Sequence, residues 1–456
     1  MFLQRRLARF ARRLAILCFA LTLAIGLTVS QSTTATAADS LTPLGDVTGT
    51  GDIAVGGGKV FVTASDRIVV TDTSGTPTGA ITGLAEAAAV TITPEGTRLY
   101  AALSGSREVV EINTGTLDIV RRVDLSAYPC PGSLALNGDR LWVGYGCHSQ
   151  WGSGFLSLDL SVSTPQPTAF EMSSNGAPLL AAAANTLVVG VTGLGPSDVL
   201  LYDVNGGDAT LRGTISGWDT GLSFLNDLLI TPDGSTFFTV FSGNDPFFAW
   251  DTTTLTKVRT YGGPDRLPGY AISLALSPDG THLAGTISPS GPATVTLYDP
   301  ATGEEGPTYA STDGEPIHGS LAFSGNDLFC VMRHGRTQKL MLWRAHKVTL
   351  PASTLTLTGP SKATLGDPIT LTGQLTLTGG VAVGPQTLSV TRRSSTKPEV
   401  ALPNVTTATD GTFTFSDTPP DAGFVTYRVA WDGGATGRES TVYKGISIVR
   451  PPSIHN

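Results

Sequence analysis

The sequence predicts an all-β protein in which a seven-bladed β-propeller is followed by an immunoglobulin-like β-sandwich. Three observations support this prediction. Strand-length apolar runs bounded by Gly, Pro, Asn and Asp dominate from about residue 44 onward, without long helical periodicity. A unit of three such runs recurs about every 45 residues. After residue 350 this recurrence stops, and a Thr-rich stretch of alternating polar and apolar residues begins.

The first 37 residues are predicted to be a secretory signal peptide. Five arginines precede an apolar run from Leu14 to Val29, and Ala35-Thr36-Ala37 matches a small-x-small cleavage site. A retained membrane anchor is the alternative, although the apolar run is only about as long as a signal peptide requires. We therefore expect a secreted, extracellular protein without a membrane segment after cleavage, which could associate with the cell envelope.

The net charge of the chain restricts the classes of partner it can bind. Cleavage after residue 37 removes five arginines and no acidic residue, which leaves 24 basic against 37 acidic side chains and a net charge of −13. This acidity argues against nucleic acid as a partner, because phosphate-neutralising surface is lacking. The six histidines are scattered without metal-ligand spacing, so neither a metal nor another cofactor is predicted.

The repeated unit is clearest between Ile272 and Asp299. Its first two runs are joined by Ser-Pro-Asp-Gly, in which Pro fixes φ and Gly tolerates positive φ, so a tight reversal is predicted. The third run of each unit ends on a polar residue at Asp72, Asn113, Asp159, Asp203, Asp251, Asp299 and Arg344. Successive endings are 41, 46, 44, 48, 48 and 45 residues apart.

Several strands in a period of about 40 to 48 residues are typical of a β-propeller blade, which has an inner, two middle and an outer strand. Seven blades are predicted over residues 44–350, and six is the alternative count because the first and last blades match least well. The last blade leaves little sequence for an outer strand before Pro351. We expect the residues around Leu44 to Val47 to supply that strand and close the ring.

Three of the turns carry a family resemblance. The segments from Thr93, Thr231 and Ser277 read Thr-Pro-Glu-Gly-Thr-Arg-Leu-Tyr, Thr-Pro-Asp-Gly-Ser-Thr-Phe-Phe and Ser-Pro-Asp-Gly-Thr-His-Leu-Ala. They resemble repeats of secreted bacterial WD-repeat-like and YVTN-type β-propeller proteins, over about two thirds of the chain. The sequence departs from that pattern because Gly-His opens no blade and Trp-Asp ends a third run only at Trp250-Asp251. The resemblance implies binding or scaffolding more often than any one chemistry.

Residues 351–450 differ from the preceding repeats in composition and in strand spacing. The candidate strands span residues 354–358, 369–376, 387–392, 400–406, 412–416, 425–431 and 441–448. Seven short strands in about 100 residues match an immunoglobulin-like sandwich in number and spacing. The segment resembles the bacterial Ig-like modules appended to exported proteins, although it lacks a cysteine pair.

Three cysteines remain after cleavage, and two of them are predicted to form a disulfide. Cys130 precedes an inner strand and Cys147 follows the next strand, so antiparallel pairing would bring the two ends together. Cys330 lies in an apolar run and is predicted to be a buried, inert thiol.

The loops that lead into inner strands and those between second and third strands share one face of such a ring. The polar and aromatic residues predicted to bind a ligand there are Tyr128, His148, Trp151, Trp218, Asp219, Asp245, Arg266, Tyr270, His318, Arg333 and His334. Aromatic and charged side chains around a central channel suit a polypeptide, a glycan or a small ligand. The alternative is an ordinary solvated loop face.

These observations predict a secreted, non-catalytic binding or scaffold protein. Its expected partner is an extracellular protein or a cell-envelope polymer, with the C-terminal domain as a spacer or adhesive arm. One alternative is a propeller enzyme of the lactonase or lyase type, for which His148, His318 and His334 are the residues to test. Another is an assembly protein that binds a second exported polypeptide.

Overall fold

A computed structural model of the chain describes residues 39–148, 152–193, 195–205, 207–242, 247–262, 269–288, 293–394 and 397–451. The predicted signal peptide, residues 1–37, lies outside the described residues. Within the described ranges, no helix reaches the length and apolarity that a membrane crossing requires.

The described residues up to Ala345 form seven four-stranded antiparallel sheets. The first strand of the chain is β1 (Ser40–Pro43). Sheet 1 comprises β2 (Ile53–Gly56), β3 (Lys59–Thr63), β4 (Arg67–Asp72) and β5 (Pro77–Thr82). Sheet 2 comprises β6 (Ala87–Ile92), β7 (Arg98–Leu103), β8 (Glu108–Asn113) and β9 (Ile119–Asp124). Sheet 3 comprises β10 (Pro131–Asn137), β11 (Arg140–Tyr145), β12 (Ser153–Asp159) and β13 (Thr168–Met172).

The remaining sheets follow the same strand order. Sheet 4 comprises β14 (Leu179–Ala183), β15 (Thr186–Gly190), β16 (Val199–Asn205) and β17 (Asp208–Ile215), after which comes the short helix α1 (Gly217–Thr220). Sheet 5 comprises β18 (Leu225–Ile230), β19 (Thr236–Phe241), β20 (Phe247–Asp251) and β21 (Lys257–Tyr261). Sheet 6 comprises β22 (Tyr270–Leu276), β23 (Leu283–Ser288), β24 (Thr294–Tyr298) and β25 (Glu305–Ala310). Sheet 7 comprises β26 (Glu315–Ser324), β27 (Asp327–Arg333), β28 (Leu340–Ala345) and β1.

The seven sheets close into a ring. The first strand of each sheet lies against the first strand of the next, and β26 of sheet 7 lies against β2 of sheet 1. Each pair of neighbouring sheets shares one buried apolar cluster, including sheets 7 and 1. The core is therefore distributed between the sheets, and the first strands surround a central channel.

The strand that completes sheet 7 is not the predicted one. β1 pairs with β28, with Ser40 opposite Arg344 and Pro43 opposite Met341, four residues before the predicted 44–47. Gly45 has a φ of 93°, which ends extended pairing. Leu44 and Val47 are instead buried between sheets 7 and 1. These two residues are apolar because they are buried between sheets 7 and 1, and not because they belong to a strand.

The predicted turns have the expected chemistry. Between β22 and β23, Gly280 has a φ of 70° and its N–H donates to the Ser277 carbonyl at 2.8 Å. The Asp279 carboxylate accepts from the Ser277 hydroxyl at 2.6 Å and the Thr281 N–H at 3.1 Å. These hydrogen bonds lower the pKa of Asp279 to about 2. At the end of the third strand of sheet 5, Asp251 accepts from two backbone N–H groups.

The C-terminal part forms two further sheets. One contains β29 (Ser353–Thr358), β31 (Ile369–Leu377), β32 (Val381–Ala382) and β35 (Thr412–Asp417). The other contains β30 (Lys362–Thr364), β33 (Thr387–Ser394), β34 (Val400–Thr406), β36 (Gly423–Trp431) and β37 (Ser440–Val449). A single apolar cluster that includes Leu371, Leu388, Tyr427 and Ile446 lies between them. Every candidate strand predicted here is present, whereas the short β30, β32 and the 3-10 turn Thr378–Gly380 were not predicted.

Candidate functional site

One edge of the ring carries most of the predicted site residues. We call it the loop face: it consists of the loops that lead into the first strand of each sheet and the loops between second and third strands. Strands alternate in direction within each sheet, so these two sets of loops emerge on the same side. The turns that contain Pro-Asp-Gly lie on the opposite side.

The predicted disulfide lies on the loop face and is confirmed. Cys130 and Cys147 are bonded, with their Cα atoms 5.1 Å apart. The bond closes the open end of the β10–β11 pair, where Pro131 is opposite Tyr145. Tyr128, a predicted ligand contact, packs its ring against Tyr145 with the centroids 5.1 Å apart and belongs to the edge of a buried cluster.

His148, directly after the disulfide, is exposed, and so are four of the seven other predicted residues that the structure describes. Trp218 is 81% exposed and Tyr270 is 61% exposed. Asp219 and His318 are also exposed. The predicted residues Trp151, Asp245 and Arg266 lie outside the described residues.

Trp218, Phe224 and Tyr270 form what we call the aromatic rim of the loop face. Trp218 lies on α1, whose Ser216 cap accepts from the Asp219 N–H at 3.4 Å and which ends at Gly221 with a φ of 73°. Phe224, 52% exposed, lies between α1 and β18. Tyr270 is the first residue of β22. The rim therefore spans the loops that lead into two consecutive sheets, 5 and 6.

Phe224 was missed by the sequence analysis. It has a φ of 54°, a costly conformation for a bulky side chain. Its ring covers Gly195, where an added Cβ would lie 2.9 Å from Phe224 Cε2. In the sequence it stands between Leu222 and Leu225, which are both buried, so an apolar pattern alone assigns it to the core.

The central channel holds two carboxylates that the sequence analysis also missed. Asp52 accepts from the Ile53 N–H at 2.9 Å and from the Val90 N–H of sheet 2 at 2.7 Å. Asp227 has the matching position in sheet 5. It accepts from the Leu274 N–H of sheet 6 at 2.8 Å. Each carboxylate thus joins its sheet to the next one.

Burial is the main reason why the pKa of each of these two carboxyls is raised. It raises the pKa of Asp52 to about 7, against the lowering effect of the two N–H donors. Burial also raises the pKa of Asp227. Charge repulsion from Asp227 adds to the effect on Asp52, although sheets 1 and 5 are not neighbours, so both groups face the inside of the ring. Both residues remain partly accessible to solvent.

His318 is exposed and lies close to Asp227. The pairing register between β26 and β27 shifts between Pro316 and Leu321. Strand β26 contacts β18 of sheet 5 in addition to the first strands of sheets 6 and 1. The proximity of His318 favours the charged form of Asp227. Because the hydrogen bonds of both carboxylates run to backbone and hydroxyl donors of the ring, the chemistry of this pair is that of structural links between sheets.

Arg333 and His334 follow on the last loop of the face. Arg333 Nη2 donates to the Gly49 carbonyl at 3.2 Å, which ties sheet 7 to the segment before sheet 1. His334 Nε2 lies 3.6 Å from Asp313 Oδ2, beside an open cavity of about 400 Å³. The His334 Nδ1 accepts from the Thr337 N–H at 3.3 Å.

The structure does not bring the three histidines of the enzyme alternative together as a metal centre. Among the described residues, no three His, Cys, Asp or Glu side chains are grouped so that they could hold a metal ion. His148, exposed at sheet 3, and His334, at sheet 7, have separate surroundings. Cys330 is buried, as predicted, and burial raises the pKa of its thiol to about 12.

Comparisons with known proteins identify the fold. No protein-family model and no curated protein sequence matches the chain. Kuenenia stuttgartiensis hydrazine synthase is similar at 16% identity and a TM-score of 0.53, covering 66% of this chain and 97% of its own. The Myceliophteria thermophila Cps50 (Swd1) β-propeller domain has 12% identity and a TM-score of 0.49, and the match covers 64% of this chain and 96% of that domain. The Neurospora crassa Pan2 WD40 domain has 11% identity and a TM-score of 0.49, and the match covers 66% of this chain and 90% of that domain.

At these identities the similarity concerns the fold alone. The described residues are all-β apart from short turns of helix, and a closed ring of four-stranded antiparallel sheets is the arrangement of a β-propeller. The expected β-propeller architecture is confirmed at the level of the fold. Neither the chemistry nor the partners of the similar proteins are carried over to this chain.

Proposed function

We propose that this chain is an exported, non-catalytic binding protein whose loop face captures a polypeptide. In this proposal a seven-bladed β-propeller, residues 44–350 together with β1, precedes an immunoglobulin-like sandwich at residues 351–450. The sandwich serves as a spacer or adhesive arm near the cell envelope.

Three features support the architecture and the compartment. The ring of seven sheets, completed by β1 in sheet 7, is the arrangement that a seven-bladed propeller requires. The disulfide between Cys130 and Cys147 is of a kind that persists in oxidising environments outside the cytosol. Two facing sheets over one apolar cluster support the immunoglobulin-like assignment.

The aromatic rim is the observation that carries the proposed binding role. Trp218, Phe224 and Tyr270 are 81%, 52% and 61% exposed on neighbouring loops. Large aromatic side chains are enriched at protein interfaces, where they contribute a disproportionate part of the binding energy. At these exposures the rings project from the surface, so a partner that covers them must bring a surface of its own. A polypeptide meets that requirement better than a small molecule.

Site-specific photo-crosslinking tests this proposal. We would place p-benzoylphenylalanine at Trp218 or Tyr270 in the full chain expressed in its native host. The matched control places it at Thr281, an exposed residue of the Pro-Asp-Gly turn on the opposite side of the ring. We expect a crosslinked polypeptide, identified by mass spectrometry, from positions 218 and 270 and none from position 281.

The proposal is contradicted by equal crosslinking from all three positions, or by none from any. In the first case contact would not depend on the rim. In the second case no polypeptide covers the loop face under native conditions. Replacing Phe224 by Ala should reduce crosslinking from Trp218 by at least fivefold, because the rim loses one of its three rings.

A further inference from the structure

The outward side of the five-stranded C-terminal sheet has an unusual composition. We call it the outer face. Its side chains come from β33, β36 and β37 and are Thr391, Arg393, Phe424, Thr426, Arg428 and Tyr443. Together with Glu399 they line a shallow groove of about 560 Å³. Phe424 and Tyr443 are 55% and 64% exposed.

The strand register places these groups in rows across the sheet. Arg428 of β36 is opposite Tyr443 of β37 on one side and Thr391 of β33 on the other. In the next row Thr426 is opposite Arg393 and Gly445. The two arginines therefore lie in adjacent rows, each beside a threonine hydroxyl.

Gly445 leaves room for the aromatic side chain of Phe424 in this groove. The ring of Phe424 covers Gly445, and a Cβ at that position would collide with Phe424 Cζ. Tyr443 and Gly445 are two residues apart on the same side of β37, which is about 7 Å. Phe424 of β36 reaches over Gly445 and therefore lies near Tyr443 of β37, so the groove has two exposed aromatic side chains on adjacent strands.

The arginines of the outer face are free to bind a ligand. Within the described part of the chain, neither Arg393 nor Arg428 has an ion pair, and neither side chain donates a hydrogen bond. The acidic side chain of the groove, Glu399, accepts instead from the Thr391 hydroxyl. By contrast, Arg392 on the inward side is paired with Asp417 at 2.6 Å. Two guanidinium groups without an ion pair give this face a local positive charge, although the chain as a whole has a net charge of −8.

We propose that the outer face binds an acidic polysaccharide. The flat apolar side of a sugar ring, with its axial C–H groups, matches the exposed rings of Phe424 and Tyr443. The carboxylate of a uronic acid residue matches a guanidinium group, which can donate two parallel hydrogen bonds to it. An open groove along a sheet also suits a chain that enters and leaves at both ends.

Other anionic partners match less well. A peptide that pairs with a β-sheet adds to an edge strand through its backbone, whereas this groove crosses the middle of the sheet. Nucleic acid needs an extended positive surface, and the chain is acidic overall. The inference rests on the proposed role of the C-terminal domain as an adhesive arm and does not depend on the loop face.

The test uses the full chain and polygalacturonate as the probe, with dextran as a neutral polymer of similar length. Isothermal titration calorimetry should show binding to polygalacturonate, weakened by salt, and none to dextran. Arg393→Gln with Arg428→Gln should reduce the affinity at least tenfold. Phe424→Ala and Tyr443→Ala should each reduce it several-fold. Arg107→Gln, which removes an exposed arginine of the ring, is the matched control and should bind normally.

A further variant tests the position of the Phe424 side chain separately from the charge of the groove. Gly445→Ala forces the Phe424 ring to move without altering any charge, so we expect affinity to fall while the salt dependence is kept. Thermal unfolding of each variant should match the native chain, because the altered side chains are exposed or partly exposed.

Several outcomes would overturn this inference. They are no binding to polygalacturonate, equal binding to dextran, and equal binding to poly-L-glutamate or single-stranded DNA of matched charge. Unchanged affinity in the double arginine variant would do the same. Trp218→Ala distinguishes the two proposals: it should abolish polypeptide crosslinking at the loop face yet leave polygalacturonate binding intact.

Discussion

The guanidinium of Arg438 lies over the ring of Tyr309, with Cζ 4.5 Å from the ring centroid. Tyr309 belongs to β25, the outer strand of sheet 6, and Arg438 to the C-terminal domain. The same arginine lies 3.6 Å from Asp39. Its backbone N–H donates to the Pro351 carbonyl at 2.9 Å, and its carbonyl accepts from the Ser353 hydroxyl at 2.7 Å. One residue therefore links the ring, the connecting segment and the C-terminal sheets.

We expect Arg438→Ala to loosen the C-terminal domain from the ring. The substitution removes a half-buried cation–π contact and an ion pair, worth together about 1–2 kcal/mol. Small-angle X-ray scattering should show a larger radius of gyration, and limited proteolysis should cut faster near residue 351. Arg428→Ala, on the outer face of the same domain, is the matched control. If both variants keep the native scattering curve, Arg438 does not hold the two parts together.

Asp327 should be among the most sensitive positions in the ring. Its Oδ2 accepts from Arg344 Nη2 at 2.6 Å and Nε at 3.0 Å, and Arg344 is only 6% exposed. Its Oδ1 accepts from the Lys347 N–H at 2.8 Å. Asp327→Ala leaves a buried guanidinium unpaired, so we expect a loss of about 3–5 kcal/mol in the free energy of unfolding.

Urea denaturation measures this loss, and a double variant identifies its cause. Asp327→Leu combined with Arg344→Leu removes both charges and should be more stable than Asp327→Ala. If the double variant is as unstable as the single one, the unpaired charge is not the cause.

The carboxyl of Asp52 should make stability depend on pH. Its pKa is raised from 3.8 to about 7 in the folded chain, chiefly by burial. Between about pH 4 and pH 7 the folded chain keeps a proton that the unfolded chain has released. The free energy of unfolding should therefore fall as pH rises through this window, by at most about 4 kcal/mol for a shift of this size.

The difference between native chain and Asp52→Asn isolates this contribution. The amide does not titrate, so its contribution to stability does not change with pH. Urea denaturation from pH 4.5 to 7.5 should show the native chain losing stability relative to Asp52→Asn. Asp118→Asn, an exposed carboxyl, should give a curve parallel to the native one. A parallel curve for Asp52→Asn as well would contradict the prediction.

Removing the disulfide should destabilise the chain without changing its fold. Cys130 and Cys147 are 17 residues apart, so the bond stabilises by about 3 kcal/mol in the chain-entropy model. We expect Cys130→Ser with Cys147→Ser to unfold at lower urea concentration and to keep the native circular dichroism spectrum. Equal midpoints for the native chain and the double variant would show that the bond contributes nothing. Thiol titration should find Cys330 unreactive until unfolding, because it is 1% exposed.

The local features of the fold were predictable. Asp251 and Asp279 act through neighbours two or three residues away, so the composition and spacing of the turn in the sequence suffice. The cysteine pair was predictable for the same reason, since both residues flank one hairpin. The closing strand was placed four residues too late, because Leu44 and Val47 have strand-like character for a tertiary reason.

The candidate site was predictable only in part. Trp218 and Tyr270 were found because large aromatic residues stand out in polar loops. Phe224 was missed because an exposed ring and a buried ring look the same beside buried leucines. Tyr128 was predicted as a ligand contact, yet its ring packs against Tyr145.

By itself the sequence determined the period of the strands, the chemistry of the turns and the pairing of Cys130 with Cys147, since each depends on residues close along the chain. Only the tertiary structure decided which distant groups meet. Asp52 reaches Val90, Arg438 covers Tyr309, and Phe424 lies over Gly445 because of the way sheets and strands lie side by side. Such contacts follow from the packing of whole sheets, to which no short stretch of sequence corresponds.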